Sequence, residues 1–394
     1  MGNSVFVTGM GVISAIGNSV EENYDSLLKQ KHGISKLDIL ETVHRDEIVC
    51  GEIKFTNKEL LQRLNLPEST THARTTLLAM HAARDACDDA AIVPDDSIKT
   101  GVILGTTVGG MDKSERFYRR LDENTDFIQS HNCGFTTEKV ADYLNMQDFV
   151  TTMSTACSSG ANAIMLGARL IKHGLLDRAV VGGTDALSKF TINGFKTLFL
   201  LDPNPCSPFD KDRRGLNLGE GAGILVLEKG SICNNKKKYC EVAGYANNND
   251  AYHQTATSPE AKGPFLSMKN AIESSKLDIK DIHYVNVHGT GTDNNDLTEG
   301  IALERLFDGH VPPFSSTKAF TGHALGAAGA IEAVYSILSI EKNVIFPNLN
   351  FKQQIPELSP LPVTVLIDNA GIKNVMSNSF GFGGNGTTLI FSKE

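Results

Sequence analysis

Cys157 lies in the stretch VTTMSTACSSGANAIMLGARLI (150–171), where nothing bulky surrounds it. A β-branched run, 149–152, precedes the thiol, and a helical pattern without charge until Arg169 follows it. Over 158–173 that pattern is apolar nearly all round, which predicts a buried helix, with Gly174 as its stop. Cys157 is therefore expected at a helix N-terminus. Unpaired backbone N–H groups and the helix dipole favour an anion there, and such positions lower a thiol's pKa toward the nucleophilic thiolate. Its Ser, Ala and Gly neighbours leave room for a substrate. The competing reading is a buried structural cysteine, the usual fate of a free thiol.

His288 closes a strand pattern in IHYVNVHGTGTDNND (282–296) and opens a Gly/Thr turn. Sites collect at strand ends in α/β folds; the alternative is a satisfied core histidine. In SSTKAFTGHALGAAGAIEAVYSIL (315–338), Lys318 and His323 precede a helix whose first turns, 326–329, are thin enough for another backbone to approach. Glu332, on that helix, fits a structural ion pair, and Lys318 alone reads equally as a surface charge. SNSFGFGGNG (377–386) has no following helix and no GK[ST], so it is not a phosphate loop. It is either an ordinary hairpin or a tight loop that presents the Phe382 N–H to a site. One thiol, two imidazoles and two backbone donors suit acyl transfer and carbon–carbon bond formation.

These groups must be positioned by elements spread over the whole chain. The 394 residues allow two or three domains' worth of fold. Strand patterns at 4–8, 101–106, 149–153, 178–181 and 223–228 alternate with helical ones at 21–29, 71–90, 137–144 and 158–173. A polar, basic segment, 228–241, reads as a surface connection. The alternation then restarts, with strands at 239–245, 282–287, 311–315, 364–368, 375–378 and 387–391 and helices at 264–275 and 325–340. This predicts an α/β protein whose sheet is covered on both faces, built by duplication into halves 1–233 and 234–394.

A net charge of −9 argues against nucleic-acid partners or an anionic membrane surface. Seven cysteines, unclustered and without a CxxC pair, point to no disulfide framework and no metal. No run approaches a membrane span, and the N-terminus reads as a strand and glycine turn rather than a signal peptide. A cytoplasmic enzyme is expected.

The ordered set VTGMG (7–11), TACSSG (155–160), PFDKDR (208–213), GEGAG (219–223), HGTGT (288–292), STKAFTGH (316–323), LGAAGAIE (325–332) and NSFGFGG (378–384) resembles the β-ketoacyl-acyl carrier protein synthases of the elongating, Cys-His-His type. The resemblance covers essentially the whole chain. It implies a thiolase-like five-layer α-β-α-β-α sandwich of two similar halves, as a homodimer or a heterodimer with a related subunit. Cys157 matches the nucleophile, and His288 and His323 the catalytic histidines. Lys318 matches the organising lysine, with Glu332 near it. Phe382 matches the gating phenylalanine whose N–H joins that of Cys157 in an oxyanion hole. Thr255, Thr290, Thr292 and Phe380 are expected along the substrate tunnel. The implied partners are acyl carrier protein and its acyl and malonyl thioesters. No cofactor is implied beyond the phosphopantetheine that arrives on the carrier.

Several residues depart from the family pattern. Arg214 replaces an acidic residue, Leu216 a phenylalanine, Ser207 a carrier-docking arginine and Gly386 an asparagine. Ser114 is expected near the apolar chain-length gate. Arg119, Arg120, Lys211, Arg213 and Arg214 offer an alternative docking patch. The departures point to a specialised role, such as an aryl polyene or related polyketide chain, rather than housekeeping fatty-acid elongation. Two other functions compete: a non-decarboxylating acyltransferase or a thiolase, the latter disfavoured because residues 377–390 lack a second cysteine, and a chain-length-factor-like subunit, which the intact Cys, His and His disfavour.

Overall fold

The computed structural model describes residues 4–394 except 69–71, 94, 96, 124–126 and 128. The first residue of the helix expected over 71–90 lies outside the described residues. Ten strands form a continuous sheet. In chain order they are β1 (Val5–Ser14), β2 (Thr100–Gly105), β3 (Phe149–Met153), β4 (Arg178–Asp185), β5 (Gly221–Lys229), β6 (Cys240–Asn249), β7 (Tyr284–Asn286), β8 (Phe314–Ser315), β9 (Asn374–Phe380) and β10 (Asn385–Ser392). The larger helices are α1 (Arg74–Asp89), α2 (Cys133–Leu144), α3 (Ser159–Lys172), α4 (Lys189–Thr197), α5 (Lys262–Ser275), α6 (Asp293–Leu306) and α7 (Ala328–Lys342).

The sheet order, β8-β7-β9-β10-β6-β1-β5-β4-β2-β3, is one pattern used twice. Within each set of five, strand three pairs with two and two with four in parallel; four pairs with five and five with one antiparallel. Among the described residues, the two sets join in the sheet only where Phe6 and Val7 pair with Glu241 and Cys240. Helices α3 and α7 each touch strands of both sets and form the middle layer, while α1 and α2 cover one outer face and α5 and α6 the other. This is the five-layer arrangement that the alternation and the resemblance predict.

Small residues set the layer spacing. A Cβ on Gly11 would lie 2.0 Å from the Ala82 carbonyl oxygen of α1. At the centre, a Cβ on Gly160 would lie 2.8 Å from the Gly326 carbonyl oxygen and 2.9 Å from Ala330 Cβ, and one on Gly329 would lie 3.1 Å from Ala161 Cβ. The thin first turns expected before α7 thus meet the nucleophile helix directly. All but two of the 15 residues of α7 are buried, which is why it shows no polar face.

The structure departs from the sequence reading in three ways. Helices α4 and α6 were not predicted. The hydrophobic period of α6 is broken by three buried polar residues: Asp296 and Glu299 bond the loop before the helix, and the Thr298 hydroxyl donates to the Asn294 carbonyl within it. The 364–368 strand shrinks to Ile367–Asp368, paired with Val344–Ile345 outside the main sheet. The 228–241 connection is partly internal: Glu228 is fully buried against Arg178 and Lys236, and Cys233 is also buried.

The central contact makes a prediction. Gly160→Ala should destabilise the fold by about 1–3 kcal/mol through overpacking. Gly194→Ala, in α4 with nothing within 4 Å, should stabilise it by up to about 1 kcal/mol. Urea unfolding midpoints at constant m-value check both.

Candidate active site

β3 delivers the chain to Cys157 through a sharp turn. Ala156 adopts a left-handed conformation, φ +52°, which costs a non-glycine residue about 1–2 kcal/mol. The turn is tied by Ser159 N–H to the Ala156 carbonyl (3.1 Å) and by Thr155 N–H to Ser159 Oγ (2.9 Å). Ser158, at the cap of α3, makes no side-chain capping bond, so the positive end of the helix stays turned toward the thiol. The Phe382 N–H donates to the Cys157 sulfur. Gly381 makes this possible, since its Cβ position lies 3.1 Å from the Cys157 nitrogen.

His288 ends the segment after β7. Its own N–H and that of Gly289 donate to the two oxygens of Glu299 at 2.8 and 2.9 Å. His323 is fixed by its N–H on the Asn217 carbonyl (2.7 Å) and its carbonyl accepting from Gly219 (2.9 Å). A ring nitrogen from each histidine and the Cys157 sulfur lie within 4.8 Å of one another. The two rings meet edge to face with centroids 5.3 Å apart. The structure thus brings together three groups separated by 131 and 35 positions in the chain (288 − 157 and 323 − 288).

The partners of the rings assign their tautomers. Leu325 N–H donates to His323 Nδ1 at 3.1 Å, and the Lys318 ammonium sits 3.2 Å from His288 Nδ1. Both Nδ1 atoms are acceptors, so the proton of each neutral ring is on Nε2. Burial first, then Lys318, hold both imidazoles well below the usual histidine range; for His288, His323 adds to this. Each is a neutral N–H donor. The same assignment argues against a metal: a cation needs the Nε2 lone pairs, and the obligate donors on Nδ1 keep protons there.

Lys318 is 1 % exposed and bonds Glu332 Oε1 and the His288 carbonyl, both at 2.5 Å. The surface-charge reading of Lys318 is therefore excluded, and the ion-pair reading of Glu332 holds. Burial pushes Glu332 up to about 7 against the pull of Lys318. Burial also pushes the Cys157 thiol up to about 11, opposed by Lys318 and the Phe382 N–H. The expected lowering by the helix N-terminus is thus outweighed by desolvation.

A cavity of about 250 Å³ leads to the sulfur. Thr255, Thr290, Thr292, Phe380, Arg214 and Leu216 line it. Thr290 and Thr292 share a hydroxyl bond of 2.8 Å, and Phe380 packs 6.0 Å from His288. Phe382 stacks on Phe195 at 5.9 Å. Thr257, unforeseen, also lines the wall.

Three sequence expectations fail. Ser114 bonds the Gly110 carbonyl and His131 and does not line the cavity. Arg213 is not a docking residue. Its guanidinium is buried and donates to the carbonyls of Asp210, Thr292 and Asp293. The asparagine missing at Gly386 is supplied one residue earlier: Asn385 Oδ1 accepts from Asn247 (2.7 Å), Ser158 (2.7 Å) and Asn162 (3.1 Å), tying the Phe382 loop to the nucleophile helix.

Sequence reasoning missed Glu299 and Asp185 altogether. Asp185 bonds Thr106 Oγ1 at 2.6 Å and the Gly326 N–H at 2.7 Å, joining the loop after β2 to the turn after His323. The only signal was a single acid at the end of a strand.

Two outcomes follow from the electrostatics. Alkylation of Cys157 by iodoacetamide tracks the thiolate, so with the thiol raised its rate should climb about tenfold per pH unit from pH 7 to 9 with no plateau. Lys318→Met should cost about 3–5 kcal/mol of stability by leaving Glu332 unpaired. Adding Glu332→Gln should recover most of that loss in urea melts while leaving alkylation at pH 8 slower than in the native protein.

Known proteins resemble this chain over its whole length. The sequence matches the family description "Beta-ketoacyl synthase, N-terminal domain" over residues 2–231 and "Beta-ketoacyl synthase, C-terminal domain" over 239–352. It is 34% identical over 407 residues to a 3-oxoacyl-[acyl-carrier-protein] synthase 2 of Staphylococcus aureus (strain N315), covering 99% of this chain and 98% of that one. Among solved structures, the ishigamide ketosynthase/chain length factor superposes with TM-score 0.92 at 30% identity over 100% of both chains. The ketosynthase ApeO in complex with its chain length factor ApeC, from Xenorhabdus doucetiae, gives 0.84 at 29% identity over 100% of this chain and 98% of that chain. With both halves matched and the relatives spanned end to end, the chain belongs to the β-ketoacyl synthase family.

Proposed function

We propose that the protein is an elongating ketosynthase that joins an acyl group held on Cys157 to malonyl carrier protein with loss of CO₂. The observation that carries this is the pair of neutral imidazoles, each with its proton on Nε2, beside a thiol at a helix N-terminus. Two uncharged donors aimed at one oxygen stabilise an enolate without protonating it.

In the first half-reaction the Cys157 thiolate attacks the acyl thioester. The Cys157 and Phe382 N–H groups hold the oxyanion, and the carrier departs as its thiol, taking up the proton that Cys157 released. In the second, His288 and His323 donate to the thioester carbonyl of malonyl carrier protein. CO₂ leaves, the enolate attacks the acyl carbon, and Cys157 is expelled as thiolate. Lys318 keeps His288 in its donor tautomer, and Glu332 balances Lys318 as a structural partner. Thr255, Thr290, Thr292 and Phe380 line the path of the phosphopantetheine arm, which arrives on the carrier; the protein needs no cofactor or metal of its own. Residues 1–233 supply the nucleophile and 234–394 the histidines.

We place the reaction in the cytoplasm and the active unit as a dimer, of two copies or with a related subunit. The departures at Ser207, Arg214 and Leu216 favour a specialised polyketide-type chain, such as an aryl polyene, and the likeness to ketosynthase/chain-length-factor structures supports a related subunit as partner. A chain-length-factor role for this chain itself is disfavoured by its complete triad, and a thiolase role by the absence of cysteine from 377–390.

The test uses acyl and malonyl carrier proteins with intact-mass detection. The native protein should show acyl-Cys157 and then β-ketoacyl carrier. Cys157→Ala should abolish condensation. Cys157→Gln should abolish condensation but release more CO₂ from malonyl carrier, as an uncharged mimic of the acylated state. Condensation surviving in either variant would refute the nucleophile.

A further inference from the structure

We propose that Phe199 is an apolar anchor for the body of the carrier protein, set at the rim of the cavity through which the carrier's arm reaches Cys157. The proposal rests on the ketosynthase reading and deepens it by naming the contact that selects the carrier.

Helix α4 ends in a Schellman motif: Phe199 N–H donates to the Lys196 carbonyl at 3.0 Å and Leu200 N–H to the Phe195 carbonyl at 3.2 Å. The residue after the cap in this motif is left-handed and is usually glycine. Here it is Phe199, with φ +56°. The ring it carries is 91 % exposed, the highest value among the exposed large apolar side chains of the described residues. An aromatic side chain is thus kept where the backbone disfavours any side chain and where water surrounds the ring. Neither cost is offset by a contact within the chain.

Its location supplies the occupant. Phe199 lines the mouth of the cavity that ends at Cys157. The same helix carries Phe195, stacked on Phe382, and the neighbouring Leu198 is 48 % exposed. Whatever threads an arm into this cavity sets its protein body against this rim. Charge on this side is mixed: Arg213 is buried on backbone carbonyls, the 60 % exposed Arg214 is paired with Asp202 at 3.3 Å, and Asp293 is exposed and acidic. A carrier with an apolar patch beside its arm-bearing residue fits this rim, with Phe199 central to the contact, as aromatic side chains are at interface hot spots.

The experiment compares the native protein with Phe199→Gly on two substrates: an acyl-loaded acyl carrier protein, and the same acyl group on free pantetheine, which has the arm but no protein body. Phe199→Gly should raise Tm by relieving the left-handed strain. It should raise KM for the acyl carrier by about tenfold or more, the size of a typical hot-spot loss, with kcat unchanged and KM for acyl-pantetheine within about twofold. Anisotropy of a labelled carrier on the Cys157→Ala background should show the same loss of affinity whether or not the chemistry proceeds, so this arm fails or succeeds independently of the ketosynthase reading. An unchanged carrier KM and Kd would overturn the anchor. So would an equal rise with acyl-pantetheine, which would place the ring on the arm. A fall in Tm would make the ring structural, and a change in sedimentation would make its partner a second copy of this chain; either result overturns the proposal.

Discussion

The site depends on one close contact between the two halves of the chain, where α3 and α7 meet through glycine and alanine alone. Gly160, Gly326 and Gly329 let backbone approach backbone. Cys157 is attached just before α3 and His323 just before α7, so the distance between the two chemical groups is set by the distance between the two helices. Each half repeats the same five-strand order, but neither contains a complete site. The thiol belongs to the first half, and the imidazoles and the Phe382 N–H to the second. The amide cluster of Asn162, Asn247 and Asn385 and the bonds of Asp185 fasten the same seam from two further directions.

Burial at this seam sets the electrostatics. A helix N-terminus contributes up to about 2 kcal/mol to a nearby anion, or roughly 1.5 pKa units. Desolvation moves Cys157 from 9.0 to about 11 in spite of Lys318 and the Phe382 donor. The larger effect wins, and the resting thiol is neutral. The same dryness keeps both histidines uncharged beside a lysine. A charged imidazole would protonate an enolate; a neutral one only stabilises it. The lysine is tolerated in this environment because Glu332 and the His288 carbonyl surround its ammonium, as a buried cation requires.

The sequence was most legible where chemistry and local structure coincide. Cys157 was placed at a helix start by an apolar run, His288 at a strand end by its glycine turn, and the thin face of α7 by its small residues. The alternation of strands and helices also conveyed the duplicated layers. What it hid were interactions made across long separations. Glu299 supports His288 from inside a helix whose buried polar residues erase the amphipathic signal. Arg213 reads as surface charge because two of the three carbonyls that bury it, those of Thr292 and Asp293, become its neighbours only on folding. Ser114 seemed close to the gate by counting along the chain, but α-helical turns after Gly110 direct it to His131. The raised thiol was hidden for a related reason: local sequence displays the helix terminus but not the depth of burial.

The claim on which the account turns is that both active-site imidazoles are neutral and carry their protons on Nε2. Long-range ¹H–¹⁵N correlation NMR on protein labelled at histidine reads tautomer and charge directly. The account predicts Nε2–H signatures for His288 and His323, unchanged between pH 5 and 8, because burial and Lys318 keep both below the usual histidine range. A proton on Nδ1 of either ring, or titration of either near pH 6.5, would contradict it.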